Sequence, residues 1–406
     1  MKILILTQYF PPEVGAPQNR LYELAVRLEQ KGADITVLTA MPNYPQMKIH
    51  KSYIGKFRHY ENMNELKVYR SWIFVSKSKS VFFRLLNYFS FVWSSFWSGW
   101  LRLTWYDYVI CESPPLFLGI TAYLLAKLKG AKLIFNVSDL WPESAEKLNI
   151  VTNKFFLGMA YRLENFLYKK SEIVTGQTQG IVKSISSRFP STKTFWLPNG
   201  VDISLYSSFK DNSGWRYKNN FLQSDFILLY GGILGHAQGL EVILNAANIL
   251  KSNKDIKFIL LGSGPEKEKL EKLKSNLSIE NIFFINTVPK KEMPVIINAA
   301  NATIIPLKKL ELFKGAIPSK IFESLSMEKP ILLGVEGEAK ELFIEEGNCG
   351  IAFEPENADD LAKKIIQLYH DRELLKQLGE NGRKYVTEKF NKDLIAENFW
   401  NFLLQQ

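Results

Sequence analysis

Short apolar runs alternate with amphipathic segments along the chain, and most of these runs end in loops rich in glycine or proline. Lys2 to Thr7 is such a run, Pro17 to Gly32 carries an apolar stripe at helical spacing, and Ile35 to Thr39 is apolar again. Continuous apolar runs are typical of strands buried on both faces of a parallel sheet. The same order returns from Phe226 onward. The pattern predicts an α/β protein with two doubly wound, Rossmann-like domains that face each other across a cleft.

The boundary between the two domains is predicted near residue 198. The chain has 406 residues, and two domains of about 200 residues are the natural expectation at this length. A turn at Pro198 to Asp202 precedes a polar segment that runs to Ser224. We therefore expect an N-terminal domain at 1–198 and a C-terminal domain at 199–389, with a final helix at about 390–406 that packs back on the first domain.

A basic segment and an aromatic segment adjoin in the first half. Nine Lys or Arg lie between Lys48 and Arg84 against two Glu, and Val81 to Trp105 then holds four of the nine tryptophans. On a helical wheel the aromatic segment has an apolar face, formed by Phe82, Leu86, Phe89, Trp93, Phe96 and Trp100. Its narrow polar face is formed by Asn87, Ser94, Ser95 and Ser98.

We do not expect the aromatic segment to cross a membrane. Its uncharged part, Leu85 to Leu101, would be a helix of about 26 Å, just short of a comfortable span. A crossing would also separate the strand Tyr108 to Cys111 from Lys2 to Thr7, so that the sheet could not form. Two interpretations remain open: a helix buried in the core, or a helix at a membrane interface beside basic residues that bind anionic lipid.

Charge and cysteine content narrow the class of protein. The net charge of +10 suggests an anionic partner, which could be nucleic acid, a membrane surface or a phosphorylated substrate. No basic recognition motif accompanies the charge, so we do not expect a nucleic-acid partner. Cys111 and Cys349 are far apart in the sequence, which favours a reducing compartment. Met1 to Thr7 lacks a signal-peptide layout, and we therefore expect a cytoplasmic protein.

Candidate functional residues in the first half follow predicted strands. Gly15 lies in the loop after the first strand, where open α/β sheets bind ligands. It either lets a phosphate or sugar approach the backbone or only makes the turn. Asp139 and Glu143 follow the strand Lys132 to Val137. They either cap the next helix, or orient an acceptor hydroxyl and take its proton.

The second half offers two glycine-rich loops as candidate donor-binding elements. Gly232 and Gly235 follow one predicted strand, and Gly262 and Gly264 follow the next. A third glycine three residues after Gly264 is absent, so the loop is weak evidence for a dinucleotide.

The segment after Pro318 carries the strongest candidate charges. Pro318 is predicted to open a helix, on which Lys320 and Glu323 are neighbours. A cation at a helix start favours an anion there. Ser319, Lys320 and Glu323 therefore form either a phosphate and sugar-hydroxyl site or a solvated pair on a surface helix.

Five motifs, taken in order over essentially the full chain, resemble the GT-B glycosyltransferases of the large retaining family 4. Within this family the chain resembles the bacterial branch that makes O-antigen and capsule sugars. It is similar to the L-fucosamine transferase type. The motifs are the loop with Pro11, Pro12, Glu13 and Gly15; Asn43-Tyr44-Pro45; Asp139-Leu140-Trp141-Pro142-Glu143; Asn199-Gly200-Val201-Asp202; and Pro318-Ser319-Lys320 with Glu323.

The resemblance implies a nucleotide-sugar donor on the second domain, an acceptor on the first, and retention of the anomeric configuration. We expect the donor to be a UDP-sugar. It implies no obligatory metal and no cofactor. We expect the donor sugar to be an N-acetylated deoxyhexosamine and the acceptor to be a saccharide linked to undecaprenyl diphosphate. The protein would then associate peripherally with the anionic inner-membrane surface through the region Lys48 to Trp105.

The sequence departs from the family at several site positions. Glu323 matches the second acid of the family's Glu-x7-Glu motif, which holds the ribose, but the first acid falls at Gly315. The family's diphosphate-binding Arg and Lys fall near Ile233 and Gln238, so we assign that role to Lys320. The histidine that many members carry falls at Ser138. We therefore expect Asp139, the next residue, to act in its place. Asp139, Glu143 and Lys320 are the predicted catalytic residues.

Two rival functions remain. A UDP-sugar 2-epimerase shares the fold and would act without an acceptor. A catalytically inactive, membrane-associated assembly factor would explain the missing acid and the missing Arg and Lys.

Overall fold

The structure is a computed structural model that describes residues 1–13, 15–44, 46–78, 80–148, 150–207 and 213–406. It divides into two compact units. Unit 1 comprises Met1–Asn199 and Ile395–Gln406, and unit 2 comprises Gly200–Leu394. Pro45 of the Asn43-Tyr44-Pro45 motif and Lys79 of the basic segment lie outside the described residues.

Unit 1 is built on a sheet whose described strands follow the order β3-β4-β2-β1-β5-β6-β7-β8. The strands are β1 (Lys2–Leu6), β2 (Asp34–Ala40), β3 (Arg58–Met63), β4 (Leu66–Ser71), β5 (Tyr108–Ser113), β6 (Lys132–Val137), β7 (Ile173–Gly176) and β8 (Lys193–Trp196). All neighbouring pairs are parallel except the antiparallel pair β3 and β4. The helices are α1 (Ala16–Gln30), α2 (Val81–Arg102), α3 (Leu118–Lys129), α4 (Glu143–Lys147), α5 (Lys154–Lys170) and α6 (Gln179–Arg188).

Unit 2 is a second doubly wound sheet, with the described strands in the order β11-β10-β9-β12-β13-β14. The strands are β9 (Phe226–Gly231), β10 (Ile256–Leu261), β11 (Ile282–Ile285), β12 (Ala302–Pro306), β13 (Ile331–Gly334) and β14 (Gly350–Ala352), and all neighbours are parallel. The helices are α7 (Ser213–Lys218), α8 (Glu241–Ile249), α9 (Lys267–Asn276), α10 (Met293–Ala299), α11 (Lys320–Ser326), α12 (Glu338–Lys340), α13 (Ala358–His370) and α14 (Arg372–Lys389). Two parallel-sheet, Rossmann-like units confirm the predicted α/β class.

The last helix, α15 (Lys392–Leu404), belongs largely to unit 1. Ile395, Ala396, Phe399 and Leu403 are buried in the same core cluster as the strand β1. The hydroxyl of Tyr108 also donates to the carbonyl of Leu403 at 3.3 Å. The aromatic residues of this helix thus complete one face of the unit 1 sheet.

The basic segment contains a hairpin that the sequence analysis did not predict. β3 and β4 pair through a turn at Asn64 and Glu65, both of which have positive φ. Arg70 on β4 is buried, and Lys67 forms an ion pair with Asp34 at 2.8 Å. The segment as a whole was expected to form a basic surface. Arg70 and Lys67 do not contribute to one, because Arg70 is buried and the charge of Lys67 is paired.

Helix α2 packs with its polar face inward. Asn87, Ser90 and Ser94 are buried and bond to the segment that follows β4. Ser94 Oγ donates to the carbonyl of Trp72, and Asn87 Nδ2 donates to the carbonyl of Phe74 at 2.6 Å. The amide of Phe74 donates to Ser90 Oγ at 2.9 Å. Serine and asparagine are buried here because each finds a hydrogen-bond partner.

The opposite face of α2 is exposed, and we refer to it as the aromatic surface. Its members are Phe82, Phe83, Leu86, Phe89, Trp93, Trp97, Trp100 and Leu101. The side chain of Phe82 is 67% exposed and that of Trp93 is 57% exposed. The interpretation of α2 as a buried core helix is therefore wrong for this face. Among the described residues, no helix is both long enough and apolar enough to cross a membrane.

Candidate active site

The carboxyl edge of the unit 1 sheet holds a buried carboxylate that the sequence analysis missed. Glu112 on β5 is 3% exposed, and Arg20 from α1 donates to its two oxygens at 2.8 and 3.0 Å. Asn136 and Ser138 also donate to it. Burial raises the pKa of Glu112, while Arg20 and the hydrogen bonds oppose that rise. The signal was present in the sequence, since a charged residue directly follows the apolar run Tyr108 to Cys111.

This cluster fixes the residue next to Asp139. Arg20 Nη2 donates to Ser138 Oγ at 2.6 Å, and the Ser138 amide donates to the carbonyl of Ser113 at 2.9 Å. One side-chain and one backbone hydrogen bond therefore fix Ser138, the residue directly before Asp139.

Asp139 is exposed, and its Oδ2 accepts a hydrogen bond from Ser144 Oγ at 2.7 Å. Helix α4 has no side-chain hydrogen bond at its N-cap, which is Pro142, so the capping interpretation does not describe Asp139. Glu143 forms an ion pair with Lys147 at 2.7 Å, one turn along α4. The geometry thus leaves Asp139 more open to a substrate than Glu143.

Gly15 precedes α1 in extended backbone geometry. A Cβ atom at this position would lie 2.4 Å from Gln18 Oε1. A side chain at this position would have to displace the end of the Gln18 side chain, and the backbone φ does not itself favour glycine.

The two glycine-rich loops of unit 2 lie against each other. Gly232 and Gly262 have φ of +144° and +148°, values that L side chains rarely adopt. A Cβ on Gly262 would lie 1.8 Å from the carbonyl oxygen of Gly232, and one on Gly264 would lie 2.3 Å from that of Leu234. Close packing of the loops accounts for Gly262 and Gly264, and their predicted contact with a donor stays a prediction. Gly235 is buried beside Gln238.

Lys320 directs its ammonium group toward the first of these loops. Its Nζ lies 3.9 Å from the centre of the Tyr230 ring and 2.9 Å from the position of a Cβ on Gly232. Among the described residues, no carboxylate lies within salt-bridge distance of Lys320. Burial lowers the pKa of Lys320 to about 7, and nearby Glu323 acts in the opposite direction. A desolvated cation without a close carboxylate is suited to bind an anionic ligand.

Glu323 is half-buried one turn further along α11. Burial raises its pKa, and Lys290, the Tyr206 hydroxyl, Lys392 and Lys320 oppose the rise. Lys320 and Glu323 do not form the solvated surface pair that was one of the two expectations. Lys320 lies against Tyr230 and Gly232, whereas Glu323 lies near Lys290 and Tyr206. Ser319 is exposed and does not cap α11 through its side chain, and the helix begins at Lys320, not at Pro318.

Lys308 is a second cation at the same edge that sequence reasoning missed. It follows β12, its Nζ lies 2.9 Å from His236 Nε2, and its amide donates to the carbonyl of Ala237 at 3.0 Å. Ile233, near the position of the family's Arg, is 64% exposed. Within the described residues, no group of three or more His, Cys, Asp or Glu is placed to hold a metal ion.

Comparison with known families matches both halves of the chain. Residues 15–200 match the glycosyl transferase 4-like domain, and residues 211–385 match the glycosyl transferases group 1. The chain belongs to the glycosyltransferases.

A full-length relative and several solved structures agree with this assignment. The chain is 25% identical over 413 residues to the putative colanic acid biosynthesis glycosyl transferase WcaI of Escherichia coli (strain K12), covering 99% of each chain. Sucrose-phosphate synthase from Thermosynechococcus elongatus has a TM-score of 0.78 at 16% identity, over 100% of this chain and 98% of that one. Anabaena HepE, solved in complex with UDP-glucose, has a TM-score of 0.73 at 16% identity over 100% of both chains. The predicted GT-B fold of this glycosyltransferase is confirmed.

Proposed function

We propose that this glycosyltransferase moves a sugar, with retention of configuration, from a UDP-sugar to a saccharide carried on a lipid diphosphate. The pathway would build a bacterial surface polysaccharide such as O-antigen or capsule. Similarity to WcaI, which is named for colanic acid biosynthesis, supports that setting. The observation that carries the proposal is the buried ammonium group of Lys320, which lacks a close carboxylate among the described residues.

The donor diphosphate is assigned to unit 2. Lys320 would bind the phosphate oxygens and stabilise the negative charge that develops as the diphosphate leaves the anomeric carbon. Lys308 lies at the same sheet edge and would add a second positive charge. The presence of UDP-glucose in the structure of HepE supports a uridine diphosphate donor here.

The ribose of the donor is assigned to Glu323. A half-buried carboxylate that several cations and the Tyr206 hydroxyl stabilise in its charged form can accept hydrogen bonds from two hydroxyls. Gly315 is exposed and lacks any side chain where the family has an acid. A donor sugar with fewer hydroxyls, such as an N-acetylated deoxyhexosamine, fits that loss.

The acceptor is assigned to unit 1. Asp139 is the group that would orient the acceptor hydroxyl or take its proton, since it is exposed and, among the described residues, its carboxylate accepts one side-chain hydrogen bond, from Ser144. Arg20, Glu112 and Ser138 would hold the backbone before it in place. Glu143 would have a supporting role, because Lys147 pairs with it.

The aromatic surface of α2 is assigned to a lipid bilayer. Exposed aromatic rings are suited to a membrane interface, where one end of the ring meets apolar lipid and the other meets water. Arg84 near the start of α2 and Arg102 at its end are exposed, and cations at this position favour anionic lipid. The ring contacts of Phe89 with Phe117 (4.8 Å) and of Phe117 with Trp141 (5.5 Å) connect this surface to the Asp139 loop. A lipid-linked acceptor would reach Asp139 along these rings.

A donor screen tests the proposed reaction. The full chain is incubated with UDP-sugars, with and without a synthetic lipid-diphosphate saccharide, and products are identified by mass. We expect a product heavier by one sugar only when both substrates are present. Conversion of a UDP-sugar without acceptor would favour an epimerase, and no turnover of any donor together with no binding of UDP would contradict the proposal.

A further inference from the structure

Unit 1 contains a cavity that none of the assigned roles uses. Its volume is about 380 Å³, a size that lies within the range of small-molecule sites. Its walls come from the loop after β1 and the loop after β2, which leave the carboxyl ends of two adjacent parallel strands. Open α/β sheets bind their ligands at this edge.

Buried charged side chains hold the walls of this cavity in place. Glu13 Oε1 accepts from the amides of Asn43 (2.7 Å) and Tyr44 (2.8 Å), and Glu13 Oε2 accepts from the amide of Phe10 (3.2 Å). Buried Arg70 donates to the carbonyl of Pro11. The two loops are thus joined through side chains that are more than nine-tenths buried, so the cavity does not need a ligand to form.

Among the described lining residues, basic side chains outnumber acidic ones. Lys48, His50 and Lys51 are exposed lining residues, and among the described residues none of them makes an ion pair. Glu13 is the acidic lining residue, and both of its oxygens already accept backbone N–H groups. An anion is the ligand that would complete this set of charges.

The cavity is also connected to α2 through the inward polar face of that helix. The chain leaves the cavity at Lys51 and reaches Phe57, whose ring stacks on Trp72 at 5.8 Å. The carbonyl of Trp72 in turn accepts a hydrogen bond from Ser94 of α2. The side-chain Nε2 of Gln8, two residues after β1, donates to Asn87 Oδ1 of α2 at 2.9 Å. An anion held here would therefore lie beside the helix that we assign to the bilayer.

We infer that this cavity binds the phosphate groups of the lipid-linked acceptor, with Lys48 and Lys51 as the anion-binding side chains. The inference rests on the proposed function for the identity of the carrier, but the phosphate site itself does not depend on catalysis. It explains why Lys48 and Lys51 lie at a preformed cavity.

Calorimetric titration of the full chain with inorganic pyrophosphate, in the presence of excess UDP, tests the phosphate site. The double variant Lys48→Ala/Lys51→Ala is compared with Lys169→Ala/Lys170→Ala, which removes the same charge from the exposed end of α5. Loss of two charge-assisted contacts should weaken pyrophosphate binding by about tenfold or more in the first variant, with little change in the second. Unchanged affinity in the first variant, or an equal loss in both, would overturn the inference.

Two further probes identify the carrier of the phosphate. Phosphatidylcholine vesicles that contain a polyprenyl diphosphate test the lipid-linked form, and glucose 1-phosphate tests a free sugar phosphate. Weaker retention of the lysine variant on the polyprenyl diphosphate vesicles supports the acceptor site. A lysine-dependent effect seen only with glucose 1-phosphate would overturn it. UDP affinity, measured on the same samples, reports separately on the proposed donor site, which lies in unit 2.

Discussion

At the scale of single residues, Lys320 differs in its surroundings from three exposed lysines of unit 2. Lys269, Lys309 and Lys314 each meet a carboxylate within 2.8 Å. Lys320 instead lies over the ring of Tyr230 and against Gly232, and burial lowers its pKa to about 7. A bound diphosphate would supply the missing negative charge and raise that pKa again.

The pH dependence of UDP binding follows from this pKa. Below pH 7 the free protein already carries the charge on Lys320, whereas above pH 7 binding must first add a proton. We expect the UDP affinity to fall above pH 7, by up to about tenfold per pH unit, with proton uptake measurable by calorimetry in buffers of different ionisation enthalpy. Lys320→Arg is the control, because arginine stays charged, and the fall should be absent there. Equal pH profiles in the two proteins would contradict the role of Lys320.

The carboxylate of Glu323 should determine how strongly the protein distinguishes ribose hydroxyls. If it accepts hydrogen bonds from them, Glu323→Ala should remove the preference for UDP over 2′,3′-dideoxy-UDP, a loss of about tenfold or more. Competition binding of the two nucleotides measures that preference. Glu268→Ala, which removes an exposed carboxylate from α9, is the matched control. A preference that survives in Glu323→Ala would place the ribose elsewhere.

At the scale of elements, the sequence of α2 predicts an apolar face and a polar face. It does not predict which of the two faces is buried against the protein. The serine and asparagine face packs against the residues after β4, because those backbone groups need partners and small polar side chains supply them. Gly99 lies against α3, since a Cβ there would lie 2.5 Å from Leu125. The aromatic rings are consequently left on the outside.

Vesicle binding tests the role assigned to α2. Phe82→Ser/Trp93→Ser removes two exposed rings of the aromatic surface, and we expect binding to anionic phospholipid vesicles to weaken by about tenfold or more. The melting temperature should not fall, because both side chains are largely exposed. Tyr217→Ser/Leu222→Ser removes two exposed apolar side chains from unit 2 and should bind as the unmodified protein does. Vesicle binding that resists the α2 substitutions would show that another surface meets the lipid.

At the scale of the whole molecule, the sequence predicts the α/β class, the position of Asp139 after a strand, and the positions of Lys320 and Glu323 one turn apart on a helix. Long apolar runs and glycine loops carry that information along the chain. It does not predict the Glu112 cluster, because Arg20, Glu112 and Ser138 are brought together by three elements that are distant in sequence. The sequence does not predict the β3–β4 hairpin, because charged residues on its strands hide the alternation of apolar and polar positions that is typical of a strand. Asn64 and Glu65 form the turn between the two strands.

The sequence also does not predict where the basic side chains of one segment lie in the structure. Nine basic residues in one segment suggest a single basic surface, but their roles differ in the structure. Arg70 is buried, Lys67 pairs with Asp34, and Lys48 and Lys51 line a cavity. Tertiary packing separates these roles, and no count along the sequence can do so.

The account depends most directly on Lys320 as the diphosphate-binding cation of unit 2. Calorimetric titration of UDP into Lys320→Met and into Lys314→Met, a variant of an exposed lysine paired with Glu311, tests it. We predict that Lys320→Met weakens UDP binding by about tenfold or more while its melting temperature stays close to that of the unmodified protein, and that Lys314→Met binds UDP normally. Unchanged UDP affinity in Lys320→Met would contradict the central claim.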